Sequence, residues 1–226
     1  IHARNIADGV LFLLENGTLG ESYKLTGEKE VSNLEMAQII ADTIGKELKY
    51  KMVDFHSDRP GHDLRYGLDG NKMKKMDWTL PIDFETIEPT FTAFGNSSVQ
   101  IINNPDARPG SINTSIRVLE TTHGDETWAG VSVDLDSKLS FANDSLIKIK
   151  VWAEKAGVFK VKLEDKDDPN VSIEKEVNIP VSFSWIEISV GFNNSNSGLY
   201  DKIALFPGWN TTTPDKYYID DIKQSN

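Results

Sequence analysis

The hydrophobic pattern of this chain changes period at Ile82-Asp83-Phe84-Glu85. Before that stretch the apolar positions recur as they do on one face of a helix. Ile6, Val10, Leu13 and Leu14 fall at i, i+4, i+7 and i+8 and predict a helix. Asn16-Gly17 ends it, because both residues tolerate the left-handed backbone at a helix terminus. Ser32-Asn33-Leu34-Glu35 matches a capping box and opens a second helix, which carries Met36, Ile40 and Ile44 inward and stops at Gly45. Ser22 to Thr26 and Leu48 to Val53 read as strands, and Asp69 caps a short helix with Met73 and Met76. This is α/β material with too few strands for a complete sheet.

After Phe84 the period is two. Val131, Val133 and Leu135 alternate with Ser132 and Asp134, and Ile147, Ile149 and Val151 alternate with Lys148 and Lys150. Similar segments lie at Val99–Ile102, Ser115–Leu119, Trp128–Leu135, Ile147–Ala153, Val158–Glu164, Glu174–Ile179, Trp185–Val190, Lys202–Phe206 and Tyr217–Ile222. Asn104-Pro105, Pro109-Gly110, Ala156-Gly157, Asp168-Pro169-Asn170 and the run from Asn193 to Gly198 supply the turns. The expected organisation is two domains: a small, incomplete α/β fragment over 1–82, then an all-β sandwich of the jelly-roll type over 83–226.

Charge sharpens this division. Residues 1–82 carry 11 Lys/Arg against 13 Asp/Glu, whereas residues 83–226 carry 13 against 22. The acidic second half excludes a phosphate-backbone binder, so no nucleic-acid partner is expected. No apolar run approaches the roughly 18 residues of a membrane span. The chain has no cysteine, which removes disulfides and thiolate metal sites. It enters an amphipathic helix directly at Ile1, with neither an initiator Met nor a signal segment, as if begun partway through a domain.

The most chemical stretch of the first half is Asp58-Arg59-Pro60-Gly61-His62-Asp63-Leu64-Arg65-Tyr66. Its guanidinium forks suit diphosphate oxygens, and an exposed turn with internally paired charges fits the spacing equally well. Residues 2–85 resemble the C-terminal part of dTDP-glucose 4,6-dehydratases, which are extended short-chain dehydrogenases/reductases. The resemblance runs through His2-Ala3-Arg4, Gly20-Glu21-Ser22-Tyr23, Glu30-Val31-Ser32-Asn33-Leu34-Glu35, Arg59-Pro60-Gly61-His62-Asp63 and Trp78-x-x-Pro81. It implies that Arg59 and His62 contact a nucleotide diphosphate sugar. The Gly-x-Gly-x-x-Gly turn that seats NAD is absent, and no Tyr in residues 1–82 has a Lys four positions later. NAD and catalysis are therefore not expected of this segment, and no catalytic residue is assigned.

In the second half, acidic residues sit at both ends of the module, in Asp83-Phe84-Glu85 and Tyr217-Tyr218-Ile219-Asp220-Asp221-Ile222. If its first and last strands lie together, Glu85 approaches Asp220, with Asn113 on a neighbouring turn. Such hard oxygens suit Ca²⁺, and equally suit a solvated acidic surface. Residues 83–226 resemble carbohydrate-binding jelly rolls of the galactose-binding-like type. The likeness rests on the opening Asp-Phe-Glu, Asn104-Pro105 followed by Gly110-Ser111-Ile112-Asn113-Thr114-Ser115, Trp128-Ala129-Gly130, Lys162-Leu163-Glu164, the Trp185 strand and the closing Tyr-Tyr-Ile-Asp-Asp-Ile. It implies a structural Ca²⁺ held by Glu85 and Asp220 and a glycan or polysaccharide partner.

Sugar binding calls for exposed rings. Trp152 is out of phase with its strand's apolar face, and Trp209 follows Pro207-Gly208 in a loop with Asn210 beside it; these two and Trp128 are the nominated sugar-binding residues. Trp185, ahead of Ile186 and Ile188, is assigned to the core. Three functions follow: a non-catalytic glycan-binding sandwich behind a dehydratase fragment, the C-terminal part of a sugar-nucleotide dehydratase, or an adhesive module. The relatives of the first half work in cytoplasm and those of the second are secreted or surface-bound, so the compartment stays open.

Overall fold

The computed structural model describes residues 3–27, 31–53, 67–74, 82–85, 89–108, 110–142 and 145–225. The chain divides into two compact units, Ala3–Leu80 and Pro81–Asn226. No helix among the described residues is long and apolar enough to cross a membrane.

The first unit contains helices α1 (Ala3–Asn16), α2 (Asn33–Thr43) and α3 (Asn71–Lys74). The α2 capping box is formed. Ser32 Oγ accepts from the Glu35 amide at 3.2 Å, and the Ser32 amide donates to Glu35 Oε2 at 2.7 Å. Asp69 Oδ1 accepts from the Asn71 amide at the start of α3, and Met73 is buried; Met76 lies outside the described residues. Two expectations are corrected. Residues 21–27 and 46–53 form no strand, because extended propensity needs a hydrogen-bonded neighbour that the described residues do not offer. Met36, Ile40 and Ile44 do not point inward: they are exposed, as are Ile6, Val10 and Leu14 of α1. Among the described residues the unit has apolar helix faces with little chain to cover them.

The second unit is a sandwich of two five-stranded sheets whose paired strands all run antiparallel. The strands are β1 (Thr92–Phe94), β2 (Ser98–Asn103), β3 (Arg117–Thr122), β4 (Gly130–Asp134), β5 (Leu146–Ala153), β6 (Gly157–Asp165), β7 (Asp168–Ile179), β8 (Trp185–Gly191), β9 (Lys202–Pro207) and β10 (Lys216–Ser225). One sheet has the order β1-β4-β9-β6-β7 and the other β2-β3-β10-β5-β8. Each sheet mixes early and late strands, the crossover connectivity of a jelly roll.

Period two builds the core. Ile147, Ile149, Val151 and Ala153 of β5 face inward with Phe159, Val161 and Leu163 of β6, Ile203 and Leu205 of β9, and Tyr217 and Ile219 of β10. The intervening residues face out. β1 was not anticipated; at three residues it is too short to display a period, and among the described residues it pairs only with β4. Phe84 and Phe91 precede it and pack together, ring centroids 5.8 Å apart.

The two ends of this unit meet. The Ile82 amide donates to Ile222 O at 3.0 Å, and the Ile222 amide returns a bond to Ile82 O at 3.1 Å. A bulge makes this possible: against β5, the β10 register jumps between Asp220 and Lys223. Asp221 within it has φ 46, and Phe84 on the opposing segment has φ 55.

Adjacent positions on β6 test the two faces. Leu163→Ala is expected to cost about 2–5 kcal/mol as an inward cavity. Outward Lys162→Ala, which breaks a 2.7 Å pair with Glu164, should cost less than about 1 kcal/mol. Chemical denaturation of both variants checks the contrast; equal losses would contradict the assigned faces.

Candidate functional site

Two nominated tryptophans, Trp128 and Trp209, sit on the outer face of the sheet β1-β4-β9-β6-β7. The register places Phe94 of β1, Gly130 of β4, Phe206 of β9 and Lys160 of β6 side by side across that face. Trp128, from the turn before β4, lies nearly parallel to Phe94 (interplanar 9°, centroids 6.2 Å) and stays 49% exposed. Phe94 meets Phe206 edge-on at 5.2 Å, and Phe206 meets Trp209 edge-on at 5.5 Å. The result is an unbroken row of rings, Trp128–Phe94–Phe206–Trp209.

Gly130 permits the row. A Cβ there would stand 2.9 Å from the Phe94 ring and 2.2 Å from Leu205 O, so Phe94 settles over a position with no side chain. The loop after β9 is tied down by the Asn210 amide on Thr127 O and the Trp209 amide on Val158 O. Lys160 ends the row. Its buried ammonium sits 3.4 Å from the Trp209 ring centroid and 2.8 Å from Glu174 Oε2, with Glu176 at 3.6 Å. That cation occupies one face of Trp209, which leaves Trp128 as the freer platform. Sequence reasoning missed Phe94 and Lys160. Phe94 belongs to the unanticipated strand, and the pairing of Lys160 with Phe206 depends on sheet order, which a single sequence does not encode.

Trp152, the third nominee, belongs to the other sheet. It faces outward from β5, half-buried, opposite Tyr218 of β10 and Trp185 of β8. The three nominated rings therefore do not form one platform. Trp185 is buried, but not in the inter-sheet core: it clusters on this outer face with Val118 and Tyr218, because Ile186 and Ile188 take the inward phase.

The nominated oxygen ligands lie around the β10 bulge and the loop before β3. Asp220 is fully buried, and neither carboxylate oxygen has a hydrogen bond of normal geometry. Burial first, then the charge of Asp221, raises its pKa to about 7, while Ser115, the Asp221 amide and Asn113 pull weakly the other way. Asp221 is paired with Lys150. Asn113 is fully buried; its Oδ1 accepts from the Ser115 amide at 3.0 Å and its Nδ2 has no partner. Glu85 Oε1 accepts from the backbone amides of Ile116 and Arg117. Asp83, also buried, accepts the Glu85 amide at 3.1 Å. Among the described residues no three His, Asp or Glu side chains converge as a metal cluster, so any ion here would lean on amide and carbonyl oxygens as well. Arg59 and His62 lie outside the described residues.

Comparison with known proteins finds two kinds of similarity, each over part of the chain. The chain is 34% identical over 95 residues to dTDP-glucose 4,6-dehydratase of Escherichia coli, covering 38% of this chain and 25% of that protein. It is 36% identical over 74 residues to the Streptomyces niveus dehydratase, covering 33% and 21%. The low-salt glycan biosynthesis protein Agl12 of Haloferax volcanii shares 36% identity over 73 residues, or 32% and 23%. The chain thus spans about a quarter of the length of the curated relatives it matches. Among solved structures, the CBM22-1–GH10 modules of Clostridium thermocellum endo-1,4-β-D-xylanase 10B, complexed with xylohexaose, give TM-score 0.48 at 12% identity, over 65% of this chain and 28% of that one. The family 11 carbohydrate-binding module of C. thermocellum Lic26A-Cel5E gives 0.43 at 14%, over 64% and 92%. No protein-family model matches the chain.

The state of Asp220 has a measurable sign. A carboxyl whose pKa rises on folding, from 3.8 to about 7, binds more protons folded than unfolded, so its contribution to stability falls as pH climbs across that window. In EDTA, Asp220→Asn should gain stability relative to the parent at about pH 8 and lose most of that advantage by about pH 4. Thermal melts at both pH values check this; a difference independent of pH would contradict it.

Proposed function

We propose that the sandwich binds a neutral polysaccharide along the Trp128–Phe94–Phe206–Trp209 row, and that residues 1–82 are a non-catalytic segment of the nucleotide-sugar dehydratase type. The row itself carries the reading. Exposed Trp128 and half-buried Phe94 and Trp209 offer apolar ring surface to the C–H faces of sugars, and buried Phe206 joins them from beneath. Glu174 and Glu176, held at one end by Lys160 and about half exposed, supply acceptors for hydroxyls. The excess of Asp/Glu over Lys/Arg in residues 83–226 opposes a polyanionic chain.

Neither a Gly-x-Gly-x-x-Gly turn nor a Tyr-x-x-x-Lys pair occurs in these 226 residues, so hydride chemistry is not assigned to them. A second reading concerns residues 1–82 alone. The identity to dehydratases and the exposed apolar faces of α1 and α2 favour a segment that completes a larger enzyme body, with Arg59 and His62 at its nucleotide-sugar pocket.

The bulge of β10 is the proposed seat of a structural Ca²⁺. Asp220 brings two buried oxygens that no hydrogen bond of normal geometry satisfies, the strongest support for a cation. Glu85 keeps Oε2 beyond its two backbone amides, and Asn113 Oδ1 retains a second lone pair. Ca²⁺ takes roughly six to eight oxygens of this kind, carbonyls and water included. Bound there, it would offset the cost of burying Asp220 ionised and tie the first residues of the module to its last strand.

Affinity electrophoresis against a panel of neutral polysaccharides tests the row. Trp128→Ala should weaken binding at least about tenfold, or 1.4 kcal/mol, with a smaller loss for Trp209→Ala. Retention of every polysaccharide unchanged by either substitution would exclude the row, and a fold that binds none would point to an adhesive module. For the ion, EDTA should lower Tm and added Ca²⁺ restore it, by about 2.7 kcal/mol at a hundredfold excess over Kd. Glu85→Ala should abolish the response; a parent melt indifferent to EDTA would remove Ca²⁺ from the account.

A further inference from the structure

The opposite sheet has its own aromatic feature, built differently. On the outer face of β2-β3-β10-β5-β8, the Trp152 and Tyr218 rings lie 4.8 Å apart, tilted by 45°. Phe183, from the turn between β7 and β8, stands edge-on to Trp152 at 5.6 Å and 77°. Pro105, Asp106 and Arg108, from the loop between β2 and β3, face these rings across a cavity of about 250 Å³ that opens widely to solvent. We infer that this cavity is a second sugar site, one that takes a single neutral pyranose ring, such as a chain end or a branch.

Each wall contributes a requirement for that ligand. Phe183 is 61% exposed and has φ 57, a backbone that aromatic residues rarely adopt, yet its amide is fixed to Ala153 O at 2.7 Å. A large ring held out at the mouth of a cavity in an unfavourable conformation is poorly explained by packing alone. Opposite it, Arg108 Nε lies 2.9 Å from Asp106 Oδ1, and a second guanidinium nitrogen donates to Oδ2 at 3.4 Å. Asp106 is in turn positioned by its own amide on Asn104 Oδ1. The Arg108 side chain remains 66% exposed, with donors to spare.

A guanidinium already paired with a carboxylate is a poor anchor for a phosphate or an acid, since a second anion would face Asp106. The pair instead presents donors and an acceptor at fixed separation, which suits adjacent hydroxyls. The cavity falls just below the roughly 300–1,000 Å³ that encloses drug-sized ligands, room for one ring among these walls, and its open mouth lets that ring be the end or a branch of a longer chain. This site shares a ligand class with the row on the first sheet and none of its residues, so either can fail alone.

The test is ¹H–¹⁵N NMR of the indole signals of the full chain, titrated with methyl glycosides of glucose, galactose, mannose and xylose. The Trp152 resonance is assigned from Trp152→Phe. At least one glycoside should shift it saturably, and the shift should persist in a Trp128→Ala/Trp209→Ala double variant. Arg108→Ala, and Phe183→Gly at a position whose backbone suits glycine, should each weaken that glycoside at least tenfold while thermal melts show a folded protein. The inference is overturned if no glycoside moves Trp152, if the double variant abolishes the shift, or if both pocket variants bind like the parent.

Discussion

A strand can hide only one of its faces between two sheets, and the sandwich of this chain is organised by that limit. Its inward stripes are aliphatic and aromatic and nearly completely excluded from water. Its outward stripes lie outside the inter-sheet core, and on each sheet a few of those positions carry rings that pack among themselves where charged or small residues would suffice for solubility. Phe94, Phe206, Trp152 and Tyr218 are all in the outward phase. The division of labour between core and surface is thus one of parity along the strand, and a one-residue slip in any register would exchange the two sets.

The same parity explains the acidic node. Asp220 is in the outward phase of β10, beside Lys150 of β5, and would reach solvent on a regular strand. The bulge that follows it turns the strand aside so that Ile222 meets Ile82. The loop before β3 then brings Asn113 and Ser115 against the carboxylate and shuts out water. A buried carboxylate so poorly served by donors is a costly arrangement for a fold to keep. The cost is concentrated at the place where the two ends of the unit are joined.

The strands of the second unit were largely legible in the sequence, because alternation at Ile147–Ala153 or Val158–Glu164 leaves no other element compatible with the pattern. The α2 cap was equally legible, since Ser32 and Glu35 act on local backbone. What could not be read was anything dependent on which strands become neighbours. Trp128, Trp152 and Trp209 could be nominated singly from phase and loop position, but not sorted onto faces, because β4 and β5 belong to different sheets. β1 is too short to show a period, and its Phe94 is the ring that links Trp128 to Phe206. In the first unit the helices of α1 and α2 were recognisable, but the direction of their apolar faces was not. A stripe of Val10 and Leu14 states that a helix has a side to bury, not that this stretch of chain supplies the cover.

The bridge between Ile82 and Ile222 has a consequence for how such a unit can be inherited. A domain whose entry and exit are hydrogen-bonded to each other occupies almost no width along the chain that carries it. It can be placed at a terminus, or spliced into a surface loop of a host, without prising the host's own backbone apart. Its portability is therefore a property of two backbone amides, and any neighbour it acquires need share none of its chemistry.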